Sequence, residues 1–293
     1  MRRSMLFVPG NNPKMMTSCG FFGADAVIFD LEDAVSPGQK LAARQLVRHA
    51  IANLELNGCE VVIRINAVDT PLWKQDLAAV VPQRPSMIML PKAARREELL
   101  QVSQELSALE AQSGLPEGEI GMIALIETAL GVHNAYEIAS ACPRVRAIFL
   151  GAEDLSADLH CKRTKEGREI FFARSAIVAA ARAAGVEAYD TPFTDVEDDA
   201  GVRADAALAR SLGFTGKAAI SPRHLDAINA CFSPTQAEAD YAREVLDAIE
   251  EGRRAGKGAV ALRGKMIDAP IAARARQTLA AAEEILRRGG TLA

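Results

Sequence analysis

Short apolar runs recur along the chain, each closed by a charged or polar residue and followed by a longer stretch with helical spacing. The runs are Met5–Val8, Ala26–Leu31, Val61–Ile65, Met87–Leu90, Gly121–Ile126, Ala147–Leu150, Val186–Tyr189 and Lys217–Ile220. Their starts lie about 30 residues apart, the size of one strand-plus-helix unit. They are rich in Val, Ile, Phe and Met and do not alternate cleanly, the pattern of parallel strands buried on both faces. Between them, Lys40–Asn53 repeats its apolar residues close to a 3.6 period, through Leu41, Leu46, Val47 and Ile51. Arg95–Glu110 and Glu169–Ala184 read the same way, the second rich in alanine, a strong helix former. Eight such repeats predict an α/β fold of the (β/α)8 barrel type. No Gly-x-Gly-x-x-Gly follows any of these strands, which disfavours an open doubly wound dinucleotide fold.

The rhythm ends after Ser221-Pro222. Pro234–Arg254 reads as one long amphipathic helix, Gly252–Gly258 as a basic glycine-containing linker and Val260–Leu262 as a short strand. A final helix is expected from Asp268-Ala269-Pro270 to Arg288. The chain thus divides into a barrel over residues 1–231 and a C-terminal helical arm over 232–293. The arm is expected to pack on a neighbouring subunit or to reach over an active site.

Composition narrows the function. Lys and Arg number 34 against 38 Asp and Glu, a formal charge of −4, which argues against a nucleic-acid partner. The 49% hydrophobic and 25% charged fractions exclude wholesale disorder. No apolar run approaches the roughly 20 residues that span a bilayer, so no membrane partner is expected. The apolar stretch Met5–Val8 is too short for a secretory signal. The five cysteines are scattered and never paired as CxxC, which reads as reduced thiols in a cytoplasmic protein.

In a barrel the catalytic groups gather where the strands end and the βα loops converge. Those positions hold Asp30, Glu32 and Asp33, then Arg64 and Asn66, Lys92, Glu127 and Thr128, Glu153 and Asp154, and Asp190. A ring of carboxylates around one Arg and one Lys would repel itself unless a cation lay among them. Oxygen ligands favour a hard ion such as Mg²⁺. Zinc is disfavoured, because His49, His133, His160 and His224 show no ligand spacing. Any one of these acids could instead be a helix cap or a first-turn charge held by the helix dipole. Arg64, inside an apolar strand, needs a partner: either a strand-two acid such as Glu32, or a substrate carboxylate gripped by its bidentate fork. Lys92 reads as an electrostatic support for neighbouring acids in preference to a Schiff-base lysine.

Taken together, the segments Ser4–Asn11, Gly23–Val35, Val62–Asn66, Leu90–Lys92, Ile126–Gly131, Gly151–Leu155, Ala173–Ser175, Leu212–Lys217 and Gly264–Pro270 resemble the citrate lyase beta-subunit family. That family includes stand-alone lyases for citryl-, malyl- and citramalyl-CoA, and the resemblance runs in order over essentially the whole chain. It implies a trimer-forming barrel of the phosphoenolpyruvate/pyruvate-binding superfamily. Glu127 and Asp154 look like the two Mg²⁺ ligands, with Mn²⁺ as a substitute, and Arg64 like the carboxylate-binding arginine. Asp268 looks like the acid/base aspartate that enters the site from a neighbouring subunit's C-terminal arm. Pro9, Gly10 and Asn11 look like part of the CoA site, and Glu32, Asp33 and Lys92 support the ring. The choice of Asp154 over Glu153 follows from the resemblance alone.

The chemistry implied is cleavage of a 3-hydroxyacyl-CoA to acetyl-CoA and a 2-keto acid, with citramalyl-CoA or citryl-CoA ahead of malyl-CoA. The CoA thioester is substrate and not resident cofactor. Three alternatives stand beside it: a metal-dependent aldolase acting without CoA, the beta subunit of a citrate lyase complex acting on an acyl-carrier-protein thioester, and a non-catalytic barrel scaffold. The resemblance across Gly264–Pro270 speaks against the first. The last should have lost one of Arg64, Glu127, Asp154 or Asp268, and none is lost.

Overall fold

The computed structural model describes residues 1–254, 260–288 and 290–293. Eight parallel strands close into a barrel in chain order: β1 (Ser4–Pro9), β2 (Ala26–Asp30), β3 (Glu60–Arg64), β4 (Met87–Leu90), β5 (Gly121–Ile126), β6 (Val145–Leu150), β7 (Glu187–Asp190) and β8 (Gly216–Ala219). β1 pairs with both β2 and β8, so the sheet has no free edge. Each strand overlaps one of the apolar runs in the sequence, with ends shifted by two residues at most.

The helices in chain order are α1 (Pro13–Ser18), α2 (Lys40–Asn53), α3 (Leu72–Val80), α4 (Arg96–Gln112), α5 (Ala129–His133), α6 (Ala135–Ala139), α7 (Ala152–Asp158), α8 (Phe171–Ala184), α9 (Asp199–Leu212), α10 (Leu225–Phe232), α11 (Gln236–Arg254) and α12 (Ala269–Arg287). Between β5 and β6 the helical segment is broken at Asn134, which closes α5 and opens α6.

Strand parity decides what each residue faces. Alternate residues fill the barrel interior: Met5, Ala26, Ile28, Val62, Met87, Met89, Ile123, Leu125, Ala147, Phe149, Tyr189 and Ala218 form one buried cluster. The residues between them, such as Val27, Ile63, Ile88, Ala124 and Ile148, are also fully buried and so lie under the helices. Both faces are covered, which is why the strands read as continuous apolar runs.

The described residues form two compact units, Arg2–Ile228 and a smaller one of Met1 with Asn229–Ala293, the boundary falling inside α10. In the smaller unit α11 and α12 pack through Ala242, Val245, Ala275 and Leu279, with Ile267 at the centre. Two further strands, β9 (Val260–Leu262) and β10 (Lys265–Ile267), form an antiparallel hairpin in which Leu262 faces Lys265. The two-residue turn between them, Arg263-Gly264, has both φ angles positive, at 50° and 76°. That is the type I′ geometry, which glycine enters without strain. Of the expected linker Gly252–Gly258, residues 252–254 belong to α11 and the rest lie outside the described residues. Among the described residues, no helix is long and apolar enough to cross a membrane.

Candidate active site

The interior parity continues one step past the apolar layer and becomes the wall of a cavity of about 330 Å³. Phe7 and Pro9 follow Met5, Asp30 follows Ile28, Arg64 follows Val62, Glu127 follows Leu125, Gly151 follows Phe149, Thr191 follows Tyr189 and Ile220 follows Ala218. All of these line the cavity. Met15 of α1, Glu153 and Asp154 of α7, and Asp33, Ala34 and Pro192 from the loops complete the wall. The charged groups therefore lie at the C-terminal mouth of the barrel, above an apolar floor of Phe7, Leu125 and Phe149.

Asp30 and Arg64 stand opposite one another in the β2–β3 register. Arg64 Nε donates to Asp30 Oδ1 at 2.7 Å and Nη2 to Asp30 Oδ2, while Nη1 lies 3.1 Å from Glu32 Oε2. Two of its five N–H groups are thus committed to Asp30. The guanidinium also stacks over Phe7, 5.2 Å from the ring centroid. Burial pulls its pKa down, but the hydrogen-bonded Asp30 and nearby Glu32 more than reverse that, so the charge is locked in. Arg64 thus forms an ion pair with the strand-two acids, and the same side chain still faces the cavity.

Glu32 is buried among Arg64 and Lys92, and its carboxyl is pushed up because burial outweighs both cations. Lys92 Nζ bonds to Glu32 and lies 3.2 Å from Asp33. Partial burial lowers the Lys92 pKa, but its bond to Glu32 and the two acid charges raise it overall. A Schiff-base lysine needs the opposite shift. Lys40 Nζ ties the backbone here, donating to the carbonyls of Leu31 and Glu32 at 2.8 and 2.7 Å.

Glu127 is 3% exposed. Its Oε1 accepts from the Lys92 amide at 2.7 Å, and Lys92 adopts a left-handed φ of 53° in making that bond. Any Cβ at position 151 would come within 2.6 Å of Glu127 Oε2, so only glycine lets β6 end against this carboxylate. Burial, then the charge of Asp154, push the Glu127 carboxyl up to about 8. The structure also separates Asp154 from its neighbour. Glu153 is 58% exposed and lies 3.6 Å from Arg163, whereas Asp154 is half-buried and near enough for its charge to act on Glu127. Both belong to the first turn of α7, where the helix dipole favours negative charge.

Two members of the expected ring are turned out of it. Asp190 has the outer parity of β7: it is wholly buried against Arg174 and Lys217, away from the cavity wall. Asn66 is buried against Asp76 of α3, to which its amide and side chain both donate. Thr128 is a helix cap, its hydroxyl accepting from Gly131 N–H at 3.0 Å. Of the opening turn, Pro9 lines the cavity and Gly10 N–H donates to the Asp30 carbonyl at 2.8 Å. Asn11 is outside the lining and bonds to Gln39. Asp268 is exposed in the smaller unit and caps α12, accepting from Ile271 N–H at 3.2 Å.

Two oxygen-donor side chains facing one cavity, with excess negative charge, fit a divalent hard cation. Mg²⁺ takes one or two carboxylates and completes its shell with water and ligand oxygens. Among the described residues there is no group of three His, Cys, Asp or Glu that could hold a metal, so a zinc-type cage is not built here.

Residues 3–222 match the family model of the HpcH/HpaI aldolase/citrate lyase. The chain is 42% identical over 279 residues to the citrate lyase subunit beta of Leuconostoc mesenteroides subsp. cremoris, covering 95% of this chain and 92% of that one. It is 34% identical over 288 residues to the L-malyl-CoA/beta-methylmalyl-CoA lyase of Rhodobacter capsulatus, covering 92% and 90%. Among solved structures it is similar to the protein CitE of Mycobacterium tuberculosis in complex with magnesium, acetoacetate and coenzyme A, at 32% identity and a TM-score of 0.77, covering 96% and 97%.

Proposed function

The chain belongs to the HpcH/HpaI aldolase/citrate lyase family and is a carbon–carbon lyase, and we propose that it cleaves a 3-hydroxyacyl-CoA to acetyl-CoA and a 2-keto acid. The observation that carries this reading is the convergence of Glu127, Asp154 and Arg64 on one cavity with an apolar floor. Glu127 and Asp154 would hold Mg²⁺, or Mn²⁺. When bound, the ion supplies Lewis-acid polarisation of the substrate's hydroxyl and the keto oxygen it becomes. The magnesium held by the M. tuberculosis relative supports that assignment.

Arg64 orients the carboxylate on the hydroxylated carbon with the N–H groups that Asp30 leaves uncommitted. Asp30 and Glu32 fix the guanidinium from behind, and Lys92 bonds to both Glu32 and Asp33. As the carbon–carbon bond breaks, the hydroxyl gives up its proton to solvent and becomes the keto carbonyl, while the acetyl thioester departs as an enolate. One proton is thus lost and one gained, the latter at the enolate's terminal carbon. Asp268 is the group proposed to deliver that proton, from the C-terminal unit of a neighbouring copy in a homotrimer. Pro9, Gly10 and Asn11 would meet the CoA moiety. Citramalyl-CoA and citryl-CoA rank ahead of malyl-CoA; a pocket distinguishes such substituents by only about 1–3 kcal/mol per methylene.

The 42% identity to a citrate lyase subunit beta favours one second reading, the same cleavage on an acyl-carrier protein's thioester within a complex. Purified chain is assayed alone for keto-acid release from citryl-, citramalyl- and malyl-CoA. Release from any of them establishes a free-standing CoA lyase. Release only from the carrier-protein thioester, with partner subunits added, establishes the second reading. No release under either condition refutes both.

A further inference from the structure

Two motif residues take no part in the proposed chemistry: Arg174 from Ala173–Ser175 and Lys217 from Leu212–Lys217. Both are wholly buried, and both meet the same two acids. Arg174 Nε and Nη2 grip Asp190 Oδ1 and Oδ2 at 2.9 and 2.8 Å, and Nη2 also donates to Asp205 Oδ1 at 2.7 Å. Lys217 Nζ donates to Asp190 Oδ2 at 2.6 Å and to Asp205 Oδ2 at 2.5 Å. Two cations thus face two carboxylates, a balanced cluster joining β7, β8, α8 and α9. Such a cluster is weak evidence for stability, because desolvating four charges is costly and apolar residues could tie the same elements together.

An apolar cluster could not make the third bond of Lys217. Its Nζ also donates to the backbone carbonyl of Thr191 at 2.6 Å. Thr191 is the residue at which the chain leaves β7, and it lines the cavity. Its hydroxyl accepts from the amide of Ala152 at 3.2 Å, and Ala152 opens α7. Asp154 stands two residues further along that turn, and Gly151 just before it abuts Glu127. A continuous set of polar contacts therefore runs from the buried cluster, through Thr191, to the segment that carries one of the two cation-binding carboxylates.

We propose that Lys217, acting through Thr191, is a positioning residue that sets the first turn of α7 and so the placement of Asp154 opposite Glu127. This rests on the reading of Glu127 and Asp154 as the cation pair. Groups that orient metal ligands are worth about 10–100-fold in ion affinity. The test measures Mn²⁺ affinity by paramagnetic resonance, melting temperature, and hydrogen-exchange protection of the Ala152 amide. The variants are Thr191→Val, which cannot accept the bond, Thr191→Ser, which can, and the charge-balanced double variant Lys217→Met with Asp205→Asn.

The expected result is that Thr191→Val and the double variant lose about tenfold in Mn²⁺ affinity and lose protection at Ala152, while Thr191→Ser stays close to the parent. Should the double variant fail to fold, the two Thr191 variants decide the matter. Parent-like ion affinity and protection in Thr191→Val overturn the proposal and leave the cluster a purely structural device. If the unaltered protein binds no ion, the cation reading of Glu127 and Asp154 fails separately. The exchange data then decide: lost protection upholds the positioning of α7, and unchanged protection overturns it.

Discussion

The mouth of the barrel and the layer just outside it both bury carboxylates at strand ends, yet they treat them in opposite ways. At the mouth, the five acids Asp30, Glu32, Asp33, Glu127 and Asp154 outnumber the three cations beside them, Arg64, Lys92 and Lys40. Outside, Asp190 and Asp205 face Arg174 and Lys217, one cation for each acid. Burial and Asp154 push the Glu127 carboxyl up to about 8. Burial also acts to raise Asp205, but Lys217 and Arg174 overcome it and hold that carboxyl below its usual range. The outer cluster is complete as it stands. The mouth is a site whose charge is balanced only when something positive enters, and that imbalance is what distinguishes a binding site from a structural one.

The sharpest way to break the comparison is to neutralise one acid in each region. Glu127→Gln and Asp154→Asn should each cut lyase turnover by about a thousandfold, with little change in melting temperature, because they relieve repulsion as they remove the ion's ligands. Arg174→Leu should do the reverse in kind, costing about 3–5 kcal/mol by leaving two buried acids with one lysine. At a few degrees per kcal/mol, calorimetry should show the melting temperature fall by about 10 °C. If Arg174→Leu melts like the parent, the outer cluster is not the balanced unit described.

Smaller effects sharpen the picture within the mouth. Arg64→Lys keeps the charge but loses the fork, and should lower kcat/KM by about tenfold, with KM raised and kcat reduced. Parent-like kinetics would assign Arg64 wholly to its partners Asp30 and Glu32. The smallest effect is on pH. A carboxyl near 8 is mostly protonated at pH 7, and the ion binds the deprotonated form. Mg²⁺ affinity should therefore climb as pH rises toward about 8 and level off above it, with close to one proton released per ion bound near pH 7. Without the ion the sign for stability is opposite. The fold holds that proton more tightly than the unfolded chain does, so stability should fall as pH rises from about 4.5 toward about 8. Calorimetric titrations in two buffers of different ionisation enthalpy check the proton count.

Much of this was legible in the sequence, and parity explains where the reading stopped. The eight apolar runs mark the barrel because strands buried on both faces leave an unbroken signal. The same unbroken signal hides which residues point inward. Asp190 and Glu127 both stand at the end of an apolar run, but only Glu127 continues the interior set, from Ile123 through Leu125. Counting by twos from the barrel core would have excluded Asp190 and singled out Phe7, Thr191 and Ile220 as cavity wall. Other features carry no local signal at all. Arg174 reaches Asp190 across 16 residues and Asp205 across 31, contacts that exist only once the helices dock on the sheet. Strand β10 leaves no such signal, because Lys265–Ile267 is too short to show a period; the Arg263-Gly264 turn is its mark in the sequence.

The central claim is that the mouth of the barrel is a divalent-ion site built from Glu127 and Asp154. Titrating Mn²⁺ into the purified protein, followed by paramagnetic resonance, tests it most directly. The account predicts one ion per chain, competed by Mg²⁺ and lost in both Glu127→Gln and Asp154→Asn. An ion that binds either variant as tightly as the unaltered protein, or no bound ion at all, would contradict it.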